Sequence, residues 1–460
     1  MRRQFASAIT CFGFGLVPAF TQPFRDPTLR MEQRIDNLLS LMTIEEKVDC
    51  LGTRTGVPRL GVPNFGSSEG IHGVVQRGTQ GRINRGAIPT TQFPQPPGMG
   101  ETWDPELVRQ AGGVQGYEAR FITQTEKYNR QILMLWGPQA DLARDPRWGR
   151  REEVYGEDPF FNGTMVAAFV KGMQGDDPKY WQAAALLKHF LANSNENFRG
   201  SSSSDFDQRL FWEYYSVPFR MGFLEGGAKG VMASYNAWNG VTMGINPILK
   251  SIVQQQWGVD VLSSDGGAVR LLVNLRKLFP TQKDAVVACL KAGINQFLDT
   301  YRDETLAALK DGSVTPAEID ELLRHKFRVT IRLGLLDPPE LVSYSKIKDS
   351  PEPWNTEKDQ AVSMKMALES VVLLKNANSF LPLRKGSLKS IAVIGPLADS
   401  IHWDWYGGTP PHAITPLEGI RNEAGPNVKV NYAADEIGNA AINAARSSDV
   451  AIVVVGNDPT

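Results

Sequence analysis

Val259-Asp260-Val261-Leu262-Ser263-Ser264-Asp265-Gly266-Gly267 is a short apolar, β-branched run that ends on a carboxylate and two glycines. Such a run reads as a buried strand whose C-terminal end delivers a chemically capable side chain into a turn. Working outward, the same form recurs along the chain. Ile132–Trp136 leads into Gly137-Pro138, then Asp141 and an Arg-rich turn over 144–151. Ala185–His189 ends in Lys188-His189, Gly230–Asn236 ends in Tyr235-Asn236, and Ile294–Asp299 is a further candidate strand. Helix-like stretches lie between them, among them Pro159–Gln174, Gln208–Glu225 and Gln282–Ala292. From Arg34 to Leu336 this alternation implies parallel strands joined by helices. Its length fits a (β/α)8-type, TIM-like barrel better than one doubly wound sheet, and barrel enzymes keep their active sites at the C-terminal ends of the strands. One polar residue at a strand end is an ordinary cap; four in succession point to a site.

A second α/β pattern follows. Residues 337–359 are rich in Pro, Glu, Asp and Ser and read as a linker between a domain over 22–336 and another over 360–460. The second region offers a helix over Glu357–Glu369, strand-like Val371–Leu374 and Ile391–Ile394, and a helix over Glu436–Ala445. Val450–Val455 reads as a buried-type strand. A parallel sheet needs crossover helices to cover it, so a sequence stopping at Thr460 is expected to be an incomplete form of this domain.

Composition narrows the class. Of 460 residues 42% are hydrophobic and 22% charged, and the formal net charge is −1, so no bulk field favours nucleic acid or an anionic membrane. Arg2, Arg3, the apolar run Phe5–Phe20 and Val17-Pro18-Ala19 read as an export signal over residues 1–21, with the periplasm or the cell exterior as destination. Beyond that segment only Cys50 and Cys289 remain, both in apolar helical contexts, and they are expected to be buried thiols rather than a disulfide. Metal-ligand spacings of Cys or His are absent from the sequence. No G-x-G-x-x-G or G-x-x-x-x-G-K-[ST] follows Ala392-Val393-Ile394-Gly395-Pro396, which leaves a nucleotide-binding reading with little support.

One ordered set of motifs is more specific. It runs Arg144-Asp145-Pro146-Arg147-Trp148-Gly149-Arg150 with Glu153 and Gly156-Glu157-Asp158-Pro159, then Lys188-His189-Phe190, then Met232-Ala233-Ser234-Tyr235-Asn236, then Ser264-Asp265-Gly266-Gly267-Ala268. With Ile394-Gly395-Pro396 and Tyr406-Gly407-Gly408-Thr409-Pro410 downstream, it resembles glycoside hydrolase family 3 over nearly all of residues 30–455. The resemblance implies a barrel followed by an α/β sandwich domain, here incomplete, and a retaining exo-β-glycosidase that needs no cofactor or metal. Its implied substrates are β-linked xylo- or gluco-oligosaccharides or aryl and alkyl β-glycosides, with neither nucleic acid nor membrane as partner.

Residue by residue, the resemblance implies Asp265 as nucleophile. Double displacement needs such a carboxylate about 5–5.5 Å from a second carboxyl that acts as acid and then as base. It implies that Arg150, Lys188 and His189 bind hydroxyls of the terminal sugar, as their many donors suit, although a buried ion pair between Arg150 and Glu153 is a competing structural reading. Tyr235 is implied to orient the nucleophile, and Glu69 to accept hydrogen bonds from distal sugar hydroxyls. Many glucosidase-like relatives carry an Asp where Glu69 stands and a Trp where Gly266 stands, so this pairing leans toward β-xylosidases. Leu191-Ala192-Asn193 after Lys188-His189-Phe190 departs from the N-acetylhexosaminidase branch. The family's acid/base glutamate follows the strand that here ends in Val455-Gly456-Asn457, and no glutamate follows it in this sequence. The alternative to an active enzyme is therefore an inactive or sugar-binding fragment.

Overall fold

The computed structural model describes residues 22–457, apart from 76–87, 129, 385, 402, 403 and 405. The export signal expected over 1–21 lies outside the described residues.

Five parallel strands form the principal sheet: β1 (Ser67–Glu69), β2 (Met134–Gln139), β3 (Ala184–Phe190), β4 (Gly230–Ala233) and β5 (Val261–Ser264). They neighbour one another in sequence order, as in a barrel wall. The register pairs Glu69 with Trp136, Gln139 with Lys188, Phe190 with Ala233 and Ala233 with Ser264. That alignment brings the chemically capable strand ends to one edge. The run Ile294–Asp299, expected as a strand, contributes a single parallel bridge from Gln296 to Ser263. Beyond it the Phe297 N–H donates to Leu51 O at 2.7 Å. An eight-stranded ring is not traced among the described residues.

Helices α1 (Pro105–Gln124), α2 (Pro159–Gln174), α3 (Val217–Leu224) and α4 (Pro316–Arg332) cover this sheet. Three of the four start from sequence signals: Asp104, Asp158 and Thr315 cap the first turns of α1, α2 and α4, each followed by a Pro. The α1–α2 contact is close because it is made through glycines. A Cβ on Gly112 would lie 2.2 Å from Phe169 O, and one on Gly172 only 1.8 Å from Arg109 O. The expected helix over 208–225 is broken. Gln208–Leu210 passes into a wider turn at Phe211–Tyr215 before α3, where Phe211 stacks between Trp238 and Trp257. Lys326 on α4 closes a seam, its Nζ donating to Cys50 O at 2.8 Å and Gly52 O at 2.6 Å. Cys50 and Cys289 are buried free thiols, and burial pushes both up to about 12.

The stretch read as a linker is anchored against α1. Trp354 is fully buried against Phe121 and Tyr128, and Asp337 pairs with Arg34 and accepts from Tyr180. After α5 (Glu357–Glu369) comes a second parallel sheet of three strands, with β6 (Ser390–Ile394) central between β7 (Lys429–Ala433) and β8 (Val450–Val453). A helix over Asn439–Arg446 packs on one face. Two expectations fail here. Val371–Leu374 forms no strand and stands in solvent, Leu374 being 91% exposed, because nothing described pairs with it. The Val450–Val455 run forms a strand over Val450–Val453, at the sheet edge and with alternating exposure rather than buried, since among the described residues only β6 borders it.

Candidate active site

Asp265 leaves the end of β5 directly into a turn, where Gly267 takes a left-handed φ of +73° that a side chain would resist. Two fixed donors hold this turn. The Gly266 N–H reaches Asp265 Oδ1 at 2.7 Å, and the Gly267 N–H reaches Asp299 Oδ2 at 2.6 Å. Asp299 is held in turn by Arg270 at 2.8 Å and by the Tyr301 hydroxyl at 3.2 Å. The Asp265 carboxylate is thus held by the Gly266 N–H, and the turn that follows it by a second acidic residue.

The neighbouring strand ends converge on Asp265. His189, at the end of β3, places Nε2 3.8 Å from Asp265 Oδ2. Tyr235, after β4, donates its hydroxyl to Gly266 O at 2.6 Å beside the Asp265 carboxyl. Lys188 is buried, and its ammonium meets Glu69 Oε2 at 2.8 Å, so the last residue of β1 and the third-last residue of β3 are joined by an ion pair. Arg150 forms a two-pronged pair with Glu153, at 2.5 and 2.8 Å. The ion-pair reading of Arg150 therefore holds, while the same guanidinium still acts on Asp265 electrostatically. All six residues singled out in the sequence gather in one region at the C-terminal edge of the sheet.

Burial dominates the electrostatics. It raises the Asp265 carboxyl above the usual carboxylate range, although Arg150, the Gly266 N–H, Lys188 and Arg199 all pull the other way. Burial, reinforced by Arg150, Lys188 and Arg199, drives His189 well below its ordinary value and keeps it neutral. The Tyr235 phenol is raised by burial and then by Asp265, so it remains a donor. Glu152, at the rim, is pushed up to about 7 by burial and by the charges of Asp404 and Glu153.

Several contributors were given no role in the sequence reading of the site. Asp141, one turn beyond β2, accepts the His189 N–H at 3.0 Å. Its position after a strand was the available signal. Arg199 lies 4.5 Å over the Tyr235 ring. Tyr406 comes from the loop after β6 and is the largest addition: its ring lies 4.4 Å from Lys188 Nζ, and its hydroxyl accepts from Arg150 at 3.2 Å. That loop is pinned to the first sheet's loops. His72 Nε2 meets Asp404 Oδ2 at 2.8 Å, Gln95 donates to the same oxygen at 2.9 Å, and the Gly408 N–H donates to Gln92 at 2.8 Å. The site is thus assembled from both sheets, and the Tyr406-Gly407-Gly408 motif was its only trace in the sequence.

Comparison with known proteins gives this geometry a family. Residues 6–329 match the glycosyl hydrolase family 3 N-terminal domain, and residues 371–460 match the family's C-terminal domain. The chain is 33% identical over 457 residues to a probable β-D-xylosidase 7 of Arabidopsis thaliana, covering 94% of this chain and 59% of that protein. It is 33% identical over 389 residues to a periplasmic β-glucosidase of Salmonella typhimurium, covering 82% of this chain and 47% of that protein. The solved structure of a family 3 exo-β-xylosidase bound to a xylobiose aziridine probe superposes with a TM-score of 0.85 at 27% identity, covering 95% of this chain and 58% of that one. The chain therefore spans about half to three-fifths of the length of these relatives, and over that span it belongs to glycoside hydrolase family 3.

Proposed function

We propose that this chain carries the nucleophile and terminal-sugar subsite of a retaining exo-β-glycosidase, acting on β-linked xylosyl or glucosyl ends of oligosaccharides. The observation that carries the reading is Asp265. It is a carboxylate fixed by the Gly266 N–H at 2.7 Å and surrounded by a tyrosine hydroxyl, a neutral imidazole and three cations. An Asp265 oxygen attacks the anomeric carbon, and the bond to the leaving oxygen breaks with its electron pair. The resulting glycosyl ester is released by water at the same carbon, so two inversions give retention. The acid/base role is assigned to no residue of this chain.

Glu69 supports a preference for xylosides. It is buried beside Lys188, and its extra methylene relative to Asp takes up room that a hexose hydroxymethyl group needs. The similarity to both xylosidases and a glucosidase suits a modest preference, since one methylene shifts discrimination by only about 1–3 kcal/mol. The five-strand wall is read as part of a (β/α)8-type barrel, supported by the Gln296 bridge and the Phe297–Leu51 hydrogen bond. Export to the periplasm or cell exterior is the localisation proposed with this function.

Proton NMR of the first product released from a dinitrophenyl β-xyloside tests the reaction. The β-anomer of xylose is expected first; initial release of the α-anomer contradicts a glycosyl-Asp265 intermediate.

A further inference from the structure

Asp141 and Asp265 address the two ring nitrogens of one histidine. Asp141 Oδ2 accepts the His189 backbone N–H at 3.0 Å and lies 3.3 Å from His189 Nδ1. Its Oδ1 accepts the Asn193 N–H at 3.4 Å. On the other side, His189 Nε2 faces Asp265 Oδ2 at 3.8 Å. The side chains of Asp141 and His189 are 1% and 3% exposed, so bulk water does not settle which nitrogen carries the proton.

The surroundings settle it. Burial and the cations Arg150, Lys188 and Arg199 disfavour an imidazolium, so the ring holds one proton. Two backbone N–H groups already point at Asp141, as they would at a carboxylate, and Arg150 favours its charged form while Glu153 opposes it. Burial pushes Asp141 up to about 7, so above that pH the charged acceptor is the form present. An Nδ1–H completes its set of donors. Among the described residues an Nε2–H would find no comparable partner, because 3.8 Å to Asp265 is beyond hydrogen-bond reach.

We propose that Asp141 is a positioning residue: it fixes His189 as the Nδ1–H tautomer, leaving Nε2 as a hydrogen-bond acceptor beside Asp265. This rests on the glycosidase reading for its ligand, a sugar hydroxyl that donates into Nε2. With Asp265 Oδ2 next to it, the imidazole then presents a pair of acceptors that favours a hydroxyl donor over an ether or carbonyl oxygen. The aspartate of a Ser-His-Asp triad fixes its histidine's tautomer by the same logic, although here His189 abstracts no proton.

The test is nitrogen NMR of the full chain labelled with ¹⁵N-histidine at pH 8. The protein has five histidines, and the His189 signals are those lost in His189→Gln. The expected spectrum has Nδ1 protonated and Nε2 bare. A wild-type His189 protonated at Nε2, or at both nitrogens, overturns the proposal, and this needs no Asp141 variant to fold. In Asp141→Ala the proton is expected to move to Nε2 in at least half of the molecules; a folded variant that keeps Nδ1–H overturns it too. The near-isosteric Asp141→Asn is expected to slow labelling of Asp265 by a dinitrophenyl 2-fluoroglycoside at least tenfold, and unchanged labelling contradicts a positioning role. Absence of labelling in the wild type, with Nδ1–H in place, counts against the glycosidase reading and leaves the tautomer assignment standing.

Discussion

The Lys188 ammonium and the Glu69 carboxylate form a buried ion pair at 2.8 Å, with the Tyr406 ring 4.4 Å from the same ammonium. One end of the pair comes from β1, the other from β3, and the aromatic cover from the loop after β6. Three distant parts of the chain are therefore committed to one charge.

Removing either partner takes this ion pair from the other in a site that is only 2–5% exposed. Glu69→Leu and Lys188→Met are each expected to destabilise the protein by about 3–5 kcal/mol. The double substitution is expected to recover much of that loss, because both buried charges are then removed together. Denaturant unfolding of the two single variants and the double variant checks this; additive losses contradict it.

Shortening Glu69 while keeping its charge tests specificity separately from stability. Glu69→Asp is expected to raise the rate on an aryl glucoside relative to the aryl xyloside by about tenfold, within the range one methylene supplies. The ratio of labelling rates by the two 2-fluoroglycosides is the measurement, and an unchanged ratio contradicts the role given to Glu69.

The His72–Asp404 pair joins the two sheets, and its contribution depends on pH with a definite sign. Burial opposes charge on His72, but the Asp404 carboxylate overrides it and raises the imidazole above its ordinary value. That stability is fully present below the unfolded value of about 6.5 and is lost as pH rises through the raised one. Burial also opposes charge on Asp404, yet His72 and Gln95 bring it down to about 2. That contribution is present above about pH 4 and is lost as pH falls toward 2. The wild type should therefore exceed Asp404→Asn in melting temperature most between about pH 4 and 6.5, with the gap narrowing on both sides. Thermal unfolding of both proteins across pH checks it; a gap independent of pH contradicts the charged pair.

Strands β2 to β5 of the first sheet were legible because each lies in a short apolar run closed by polar residues, a pattern that survives without tertiary information; β1, Ser67-Ser68-Glu69, has no such run and was not expected as a strand. Asp265, His189, Lys188 and Tyr235 were found for the same reason. Arg150 and Glu153, three residues apart, were legible as a possible pair. Tyr406, Asp404 and Asp141 were given no role, although Asp141 stood in the strand-end series, because what makes them functional is contact across 332 residues for His72–Asp404, 256 for Arg150–Tyr406 and 48 for Asp141–His189. No local period encodes such contacts. Val371–Leu374 shows the opposite failure: four consecutive apolar residues read as a strand, but without a neighbouring strand they form no ladder. The widened turn at Phe211–Tyr215 likewise follows from stacking against Trp238 and Trp257, which helix periodicity alone does not report.

The most direct test of the whole account is incubation of the protein with dinitrophenyl 2-fluoroxyloside and 2-fluoroglucoside, followed by peptide mass mapping. These reagents need little acid assistance, so they address Asp265 without calling on an acid/base residue. A stable glycosyl adduct on Asp265, formed faster from the xyloside and absent in Asp265→Asn, is the expected result. An adduct on a different carboxylate, or unchanged labelling of Asp265→Asn, contradicts the assignment of the nucleophile.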